Sequence, residues 1–476
     1  MKIKKILAMM VALLPLLWGC GGDDDPADDP VVPTPSVNVS MRSQSIAEGA
    51  EVDAPSTTQL ALTYSVSVKL SASASITLNG APVNATRNPN DVTGILIPLT
   101  LEEGTSYTLI VPEGAVVASS NASATAPAFT LNFKTKEKAQ SVTPNIVTTP
   151  VAATTDAAKK LYAYLLEQYG RKVISSVMAN VNWNNEEAER IGKAVGKYPA
   201  MNCYDFIHIC FSPANWIDYT KIDPVQQWVK AGGLVQLMWH FNVPKTQGST
   251  DVTCTPSETT FNTANVFTDG TWENKWFYEQ MDKVVATMLK LQQAGIAATW
   301  RPFHEAAGNA THKKQAGWTK SWFWWGYDGA ETYKKLWRTM FDYFKQKDIN
   351  NLIWVWTTQN YNGDASQYNQ DSDWYPGDEY VDIVARDLYG YNADRNLQEF
   401  NEIQATYPSK MVILGECGKD ANTNTSSALP ADFWRKGAKW GQFMVWYGAN
   451  MEDDKWWKEA LNCEDVITRD QVPSLQ

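Results

Sequence analysis

The chain has 476 residues, a formal net charge of −11 and 20% charged residues. That length exceeds one ordinary core and predicts two or more domains. An acidic chain with no Lys- or Arg-rich block is not built to hold a polyanion, so nucleic acid is excluded as a partner.

Residues 1–20 read as a leader, not as part of a fold. "MKIKK" is a basic start and "ILAMMVALLPLLW" an apolar stretch interrupted by Pro15, the pattern of a secretory signal. Its end, "LLWGC", matches a bacterial lipobox with Cys20 as the lipidated residue, although Trp18 is bulkier than usual there. Residues 21–35, "GGDDDPADDPVVPTP", form an acidic, Pro-rich tether that cannot bury enough apolar surface to fold. Acidic residues directly behind a lipidated Cys resemble a surface-export signal of Gram-negative lipoproteins. The expectation is an outer-membrane protein, anchored through Cys20 and displayed on the surface, with the periplasmic face as the alternative.

Residues 36–136 alternate apolar and polar positions in short runs such as "LALTYSVSVKL", "SITLNG" and "SYTLIVPEG", separated by Asn, Gly and Pro turns. About seven strands in a segment of this size predict a small all-β sandwich. The pattern resembles bacterial Ig-like domains found beside secreted enzymes, which implies a spacer. Residues 137–154 read as a polar linker. Behind it "DAAKKLYAYLLEQYG" predicts a helix, with Leu161, Leu165 and Tyr169 at i+4 spacing and Gly170 placed to end it.

From there to residue 476 eight apolar runs recur: 172–180, 198–206, 232–241, 296–305, 351–359, 381–390, 411–418 and 442–450. Helical segments lie between several of them, for example "NKWFYEQMDKVVATMLKLQQAG" and "GAETYKKLWRTMFDYFKQKD". Eight such strands alternating with helices predict a (β/α)8 TIM barrel over residues 155–476, an α/β fold. Chemistry on such a barrel sits at the C-terminal ends of the strands. The runs end in Asn180, Asp205, His240, His304 with Glu305, Gln359, Asp387 with Tyr389, Glu416, and Trp446.

Two of these endings are glutamates on different strands, Glu305 and Glu416. A pair of carboxyls across a sugar-sized gap is the machinery of glycoside hydrolysis, one protonated and one ionised. Strand alternation places Arg301, Phe303 and Glu305 on one face, and Val412, Leu414 and Glu416 on one face. A structural carboxylate paired with Arg301 is the competing reading of Glu305. "HEAAG" lacks the second His of a zinc helix, because position 308 is Gly, and His208, His240 and His312 are not at ligand spacing. No metal and no cofactor are expected. Five cysteines remain beyond Cys20, an odd number, with no CxxC spacing.

"WRPFHE", then "WFWWG", "DLYG" and "ILGECG", resemble glycoside hydrolase family 26 along residues 155–465. That resemblance implies a retaining glycosidase, in most members an endo-β-1,4-mannanase, acting here as a monomer on mannan, glucomannan or galactomannan. It implies Glu305 as acid/base and Glu416 as nucleophile. Arg301 and His304 would position the acid and the sugar, Tyr389 in "DLYG" would hydrogen-bond the nucleophile, and Asp387 beside it would contact substrate. His240 would bind the sugar at the cleavage point, with Trp322 and Trp446 as aromatic platforms. Tryptophan suits such a substrate, since C–H faces of sugars stack on indole. Of 21 tryptophans, 20 fall at Trp183 or later, apart from Trp18 in the leader.

Core packing is the expectation for Trp228, Trp337, Trp354 and Trp440, whereas Trp324 and Trp325 could sit in core or cleft. A departure from the family pattern is the insertion "AAGNATHKKQAGWTKS" before "WFWWG". Within it Trp318 and Lys320 are candidate sugar contacts, and His312 belongs to a solvated tip. The rival functions are a mixed-linkage β-glucanase, an exo-acting mannobiose-releasing enzyme, and a non-catalytic surface glycan-binding protein.

Overall fold

Both strand patterns fold as their periodicity demands, each in its own unit. The computed structural model describes residues 37–52, 54, 57–136, 145–308, 321–359 and 371–475. Cys20 with its leader and tether, and Trp318, Lys320 and His312, lie outside these residues. Contacts divide the chain into Met1–Ala139 and Gln140–Gln476. No helix among the described residues is long and apolar enough to cross a membrane.

The first unit is all β. Strand Gln59–Tyr64 buries Leu60, Leu62 and Tyr64, and Ser106–Val111 buries Tyr107, Leu109 and Val111, alternate residues in each case. Period-two burial of this kind gives each sheet one apolar face. A four-stranded sheet contains the first strand, a five-stranded sheet contains the second, and a two-stranded pair accompanies them. Among the described residues eleven strands are present against about seven predicted, because several are only two residues long and interrupted by turns.

The second unit is the barrel. Its strands are β1 Val173–Met178, β2 Met201–Asp205, β3 Leu234–Trp239, β4 Ala298–Pro302, β5 Leu352–Thr358, β6 Ile383–Tyr389, β7 Met411–Gly418 and β8 Gln442–Val445. Each pairs in parallel with the next, and β8 pairs with β1 to close the ring, with Ser176 opposite Met444. The helices between them start where capping residues stand. Thr155 and Thr271 accept the backbone N–H of Ala158 and Asn274, which opens Asp156–Gln168 and Trp272–Gln293. Gly170, at φ +75°, follows the first of these as predicted. The linker expected to reach residue 154 is shorter: from Val147 the chain already bonds to the barrel, through Ser409 and then Asp382.

The barrel interior is layered. At the bottom Ile174, Met201, Leu234, Ile353, Ile383 and Met411 form an apolar plug. Above it the side-chain amide of Gln442 donates to Gln236, 2.5 Å away. Over these lies a soft layer of Met178, Cys203, Met238 and Met444, with Trp446 packed on it. All five cysteines among the described residues are free. Outside the strands, Trp228, Trp337, Trp354 and Trp440 are buried, as are Trp324 and Trp325, so both undecided tryptophans belong to the core. Burying a large side chain of this kind contributes about 2–3 kcal/mol. These residues make the wall against which the mouth is built.

Candidate active site

Strand β4 stops at Pro302, and the following turn places the acid. Phe303 has φ +46° and Glu305 φ +49°, a left-handed backbone that costs a side-chain-bearing residue about 1 kcal/mol or more. Neighbours hold it there. The Tyr333 hydroxyl donates to the Phe303 carbonyl at 3.2 Å, and the Trp325 indole donates to the His304 carbonyl at 2.9 Å. Phe303 itself turns outward into a stack with Phe241 and Phe277. The expected common face of Arg301, Phe303 and Glu305 is therefore corrected: alternation ends with the strand, and the turn re-aims Glu305 to the mouth.

Strand β7 shows the same kind of departure. Val412 and Leu414 pack outward with the helices, whereas Ile413 faces the interior. The register against β6 then skips Gly415, so that Asp387 stands opposite Glu416. A bulge at Gly415 thus rotates Glu416 to the inside, against the expectation that it shares a face with Val412 and Leu414. Only glycine fits. A Cβ there would lie 2.8 Å from Asp387 Oδ1 and 3.0 Å from Arg301 Nε.

Arg301 is fully buried and organises the centre. Its Nη1 donates to Glu416 Oε1 at 2.6 Å, its Nη2 donates to Asp387, and its Nε donates to Thr357 at 2.8 Å. Tyr389 donates to the other Glu416 oxygen at 2.5 Å, so both oxygens of Glu416 are acceptors. With no exposed surface of its own, Arg301 acts through the carboxyls it holds and aims Glu416. Asp387 is almost as enclosed, with 2% of its side chain exposed.

Glu305, Asp387 and Glu416 each offer an oxygen within 4.8 Å of the others. Crowding three carboxyls in this way must retain a proton. Burial, then the charges of Asp387 and Glu416, push Glu305 well above the usual carboxylate range, against the pull of Arg301. Asp387 is pushed up to about 7 by burial and Glu416, against Arg301. Since Asp387 lies on the guanidinium and Glu305 does not, the proton belongs on Glu305. Although three carboxyls could in principle bind a cation, Arg301 already supplies the positive charge among them and opposes a second.

Two histidines edge the site. Asp205, with no exposed surface, lies 2.6 Å from His240 Nδ1 and also accepts the His240 backbone N–H. Burial opposes the charged imidazole, but Asp205 prevails and the pKa of His240 is raised. His304, 4.0 Å from Glu416, is held well below its usual value by burial, His240 and Arg301. The two rings meet edge to face at 4.5 Å. Trp446 lies 5.8 Å from His240. Trp322 is 37% exposed at the rim.

Two residues of the site escaped sequence reasoning. Asp205 was visible as a strand ending but had no partner until folding brought His240 beside it. Phe323, inside "WFWWG", lies 5.1 Å from His304 and stacks on Trp325 at 4.3 Å. Gly326 in the same motif permits this: a Cβ there would stand 1.9 Å from the Ala306 carbonyl.

A left-handed turn and a bulge on strands β4 and β7 thus present two carboxyls to one opening of a (β/α)8 barrel, an arrangement that glycoside hydrolysis requires. The model of glycosyl hydrolase family 26 matches residues 149–470, and the chain belongs to that family. The family 26 domain of an endo-β-mannanase/endo-β-glucanase from Prevotella bryantii is similar at TM-score 0.66 and 52% identity, over 68% of this chain and 99% of that one. A β-mannanase from a symbiotic protist of the termite Reticulitermes speratus, solved with a gluco-manno-oligosaccharide, is similar at TM-score 0.56 and 30% identity, over 69% and 99% of the two chains. Mannan endo-1,4-β-mannosidase A of a Piromyces species is 30% identical over 335 residues, 67% of this chain and 49% of that protein. The chain spans about half the length of the two Piromyces relatives, at 49% and 52%.

Proposed function

We propose that this chain is a retaining endo-β-1,4-mannanase acting on mannan, glucomannan or galactomannan. The observation that carries the reading is the closeness of Glu305 and Glu416, whose oxygens approach within 4.8 Å. A retaining pair needs about 5–5.5 Å between carboxyls, whereas an inverting pair needs about 6.5–9.5 Å to admit a water. In the first step a Glu416 oxygen bonds to the anomeric carbon. The glycosidic C–O bond breaks and the leaving oxygen takes the proton of Glu305. In the second, water attacks the same carbon while Glu305 takes a proton from it, and the ester to Glu416 breaks.

Arg301 and Tyr389 hold Glu416 in line, and the Asp205–His240 pair, His304 and Trp446 surround the sugar that is cleaved. The mannosidase and mannanase names of the relatives support mannan as the substrate. The Prevotella bryantii relative is also named for β-glucanase activity, so a panel of purified polysaccharides is the test. Reducing sugar from glucomannan and galactomannan, with none from mixed-linkage glucan, is the expected result. Early long oligosaccharides in the time course would mark endo action, whereas disaccharide alone from the outset would contradict it.

For the rest of the chain, "LLWGC" and the acidic run behind it support lipid anchoring through Cys20 and display on the outer membrane. The β unit serves as an Ig-like spacer on that tether, carrying a monomeric enzyme.

A further inference from the structure

Strands β6 and β7 deliver Tyr389 and Glu416, and they part just beyond them. Tyr389 is the last residue of β6 and stands opposite Gly418, the last of β7. One further bond, from the Gly390 N–H to the Gly418 carbonyl at 2.8 Å, closes the ladder. Strand ends are where a ladder frays, so the aim of Tyr389 on Glu416 needs a hold of its own.

Ser427 supplies that hold. The chain leaving β7 turns back at once. Asp420 donates its N–H to the Thr425 carbonyl at 2.9 Å, and Asn424 donates to the Asp420 carbonyl at 2.7 Å. The return brings Ser427 into the fork between the two strand ends. Its hydroxyl donates to the Gly418 carbonyl at 2.7 Å, and accepts the backbone N–H of Gly418 at 3.2 Å and of Gly390 at 3.3 Å. The next residue, Ala428, donates its N–H to the Tyr391 carbonyl at 2.9 Å. One short side chain thus spans both strands where they leave Tyr389 and Glu416.

Ser427 is itself fixed. It is buried, its N–H donates to Glu452 Oε1 at 2.9 Å, and its carbonyl accepts the Trp456 indole at 3.0 Å. A carboxyl is costly to bury unless it is hydrogen-bonded, and buried Glu452, from the loop after β8, is used to hold this backbone. Both anchor points are crowded as well. A Cβ at Gly418 would lie 2.2 Å from the Asn450 carbonyl oxygen, and one at Gly390 would lie 2.7 Å from Asp420 Cβ.

We propose that Ser427 is a positioning residue for the nucleophile: by pinning the ends of β6 and β7 together it keeps the Tyr389 hydroxyl on Glu416. It acts through the backbone of Gly390 and Gly418, not on the sugar. This rests on the proposed glycosidase reading, in which Glu416 is the nucleophile.

The test is a double-mutant cycle with Tyr389→Phe, read as kcat on whichever aryl glycoside the wild type hydrolyses, the β-mannobioside or the β-cellobioside. In Ser427→Ala kcat falls about tenfold, the size of one hydrogen bond, with KM unchanged. Ser427→Thr, which keeps the hydroxyl, recovers most of it. In the Tyr389→Phe background Ser427→Ala costs less than about twofold, because the contact it aims is already gone. The same loss in both backgrounds, large or small, overturns the proposal and makes Ser427 merely structural. Ser427→Cys, close in volume but a poor acceptor, repeats the comparison where the alanine variant does not fold. A wild type that hydrolyses only the cellobioside contradicts the mannan reading and leaves this comparison intact. A readout free of substrate separates the two further. With tyrosine labelled by carbon-13 at Cζ, the Tyr389 NMR signal, identified by its loss in Tyr389→Phe, moves in Ser427→Ala. That shift upholds the proposal whichever polysaccharide is cleaved, and a Tyr389 signal that stays in place overturns it.

Discussion

Arg301 Nη1 lies 2.6 Å from Glu416 Oε1, and the same guanidinium donates to Asp387 from its other arm. One buried cation therefore fixes two carboxyls that come from different strands. Replacing it by Met leaves both without a cation, and Glu416 with Tyr389 alone, a loss of about 3–5 kcal/mol for a buried pair. Arg301→Lys fares little better, since an ammonium has no planar fork to span both. Chemical denaturation and turnover measured together should show both variants less stable and at least a hundredfold slower.

The two glutamates should fail in different ways. Glu416→Ala should abolish turnover on every substrate. Glu305→Ala should still cleave an aryl mannoside with a good leaving group in its first step, because no proton is then needed. Azide should restore turnover in that variant and yield a glycosyl azide of retained configuration, readable by NMR. An azide adduct of inverted configuration would contradict the retaining mechanism.

The alkaline limb of the pH–rate profile should report Glu305. Its proton is required for the first step, and burial and Asp387 raise its pKa, so activity falls as pH rises through that raised value. Asp387→Asn removes one of the charges that raise it, and the limb should move toward acid. A limb that stays in place would show that Glu305 is not the acid.

Stability should carry the same signature. A carboxyl raised on folding binds more protons folded than unfolded, so stability is greatest below its unfolded pKa and declines as pH rises through the folded one. Glu305→Gln has no such decline. Its melting temperature relative to wild type should therefore climb as pH rises above the usual carboxylate range, and a constant difference would contradict the raised pKa.

Asp205 should matter through His240. The carboxylate raises the imidazole pKa in spite of burial, and Asp205→Asn should lower it. An NMR titration of the His240 ring gives the direct readout, and a loss of about tenfold in kcat/KM should accompany it.

The proposed anchor can be tested apart from the barrel. Cys20→Ala should move the protein out of the membrane fraction while leaving its activity in lysate unchanged. Protease added to intact cells should degrade the wild type if it is displayed outside.

The barrel was legible in the sequence because each strand is a local apolar run bounded by helix caps, and no long-range fact is needed to see that. Glu305 and Glu416 were legible because they end such runs. What periodicity could not reach is the aim of the side chains. Phe303 points outward and Glu305 to the mouth because two donors from distant helical segments, Tyr333 and Trp325, fix a left-handed turn. Gly415 gave no sign of its bulge, since the atoms that exclude a side chain there belong to Asp387 and Arg301. Asp205 was legible as a strand ending but its role was not, because that role comes from His240 on the next strand.

The carboxyl cluster has one consequence for the reaction as a whole. Three carboxyls share one retained proton and one guanidinium, which leaves the interior of the mouth one negative charge in excess. The transition state of glycoside cleavage develops a single positive charge on the sugar ring. Arg301 thus tunes the site to univalence: with the guanidinium gone the pocket would be overcharged and would draw in protons, and with a second cation it would have nothing left to offer the substrate.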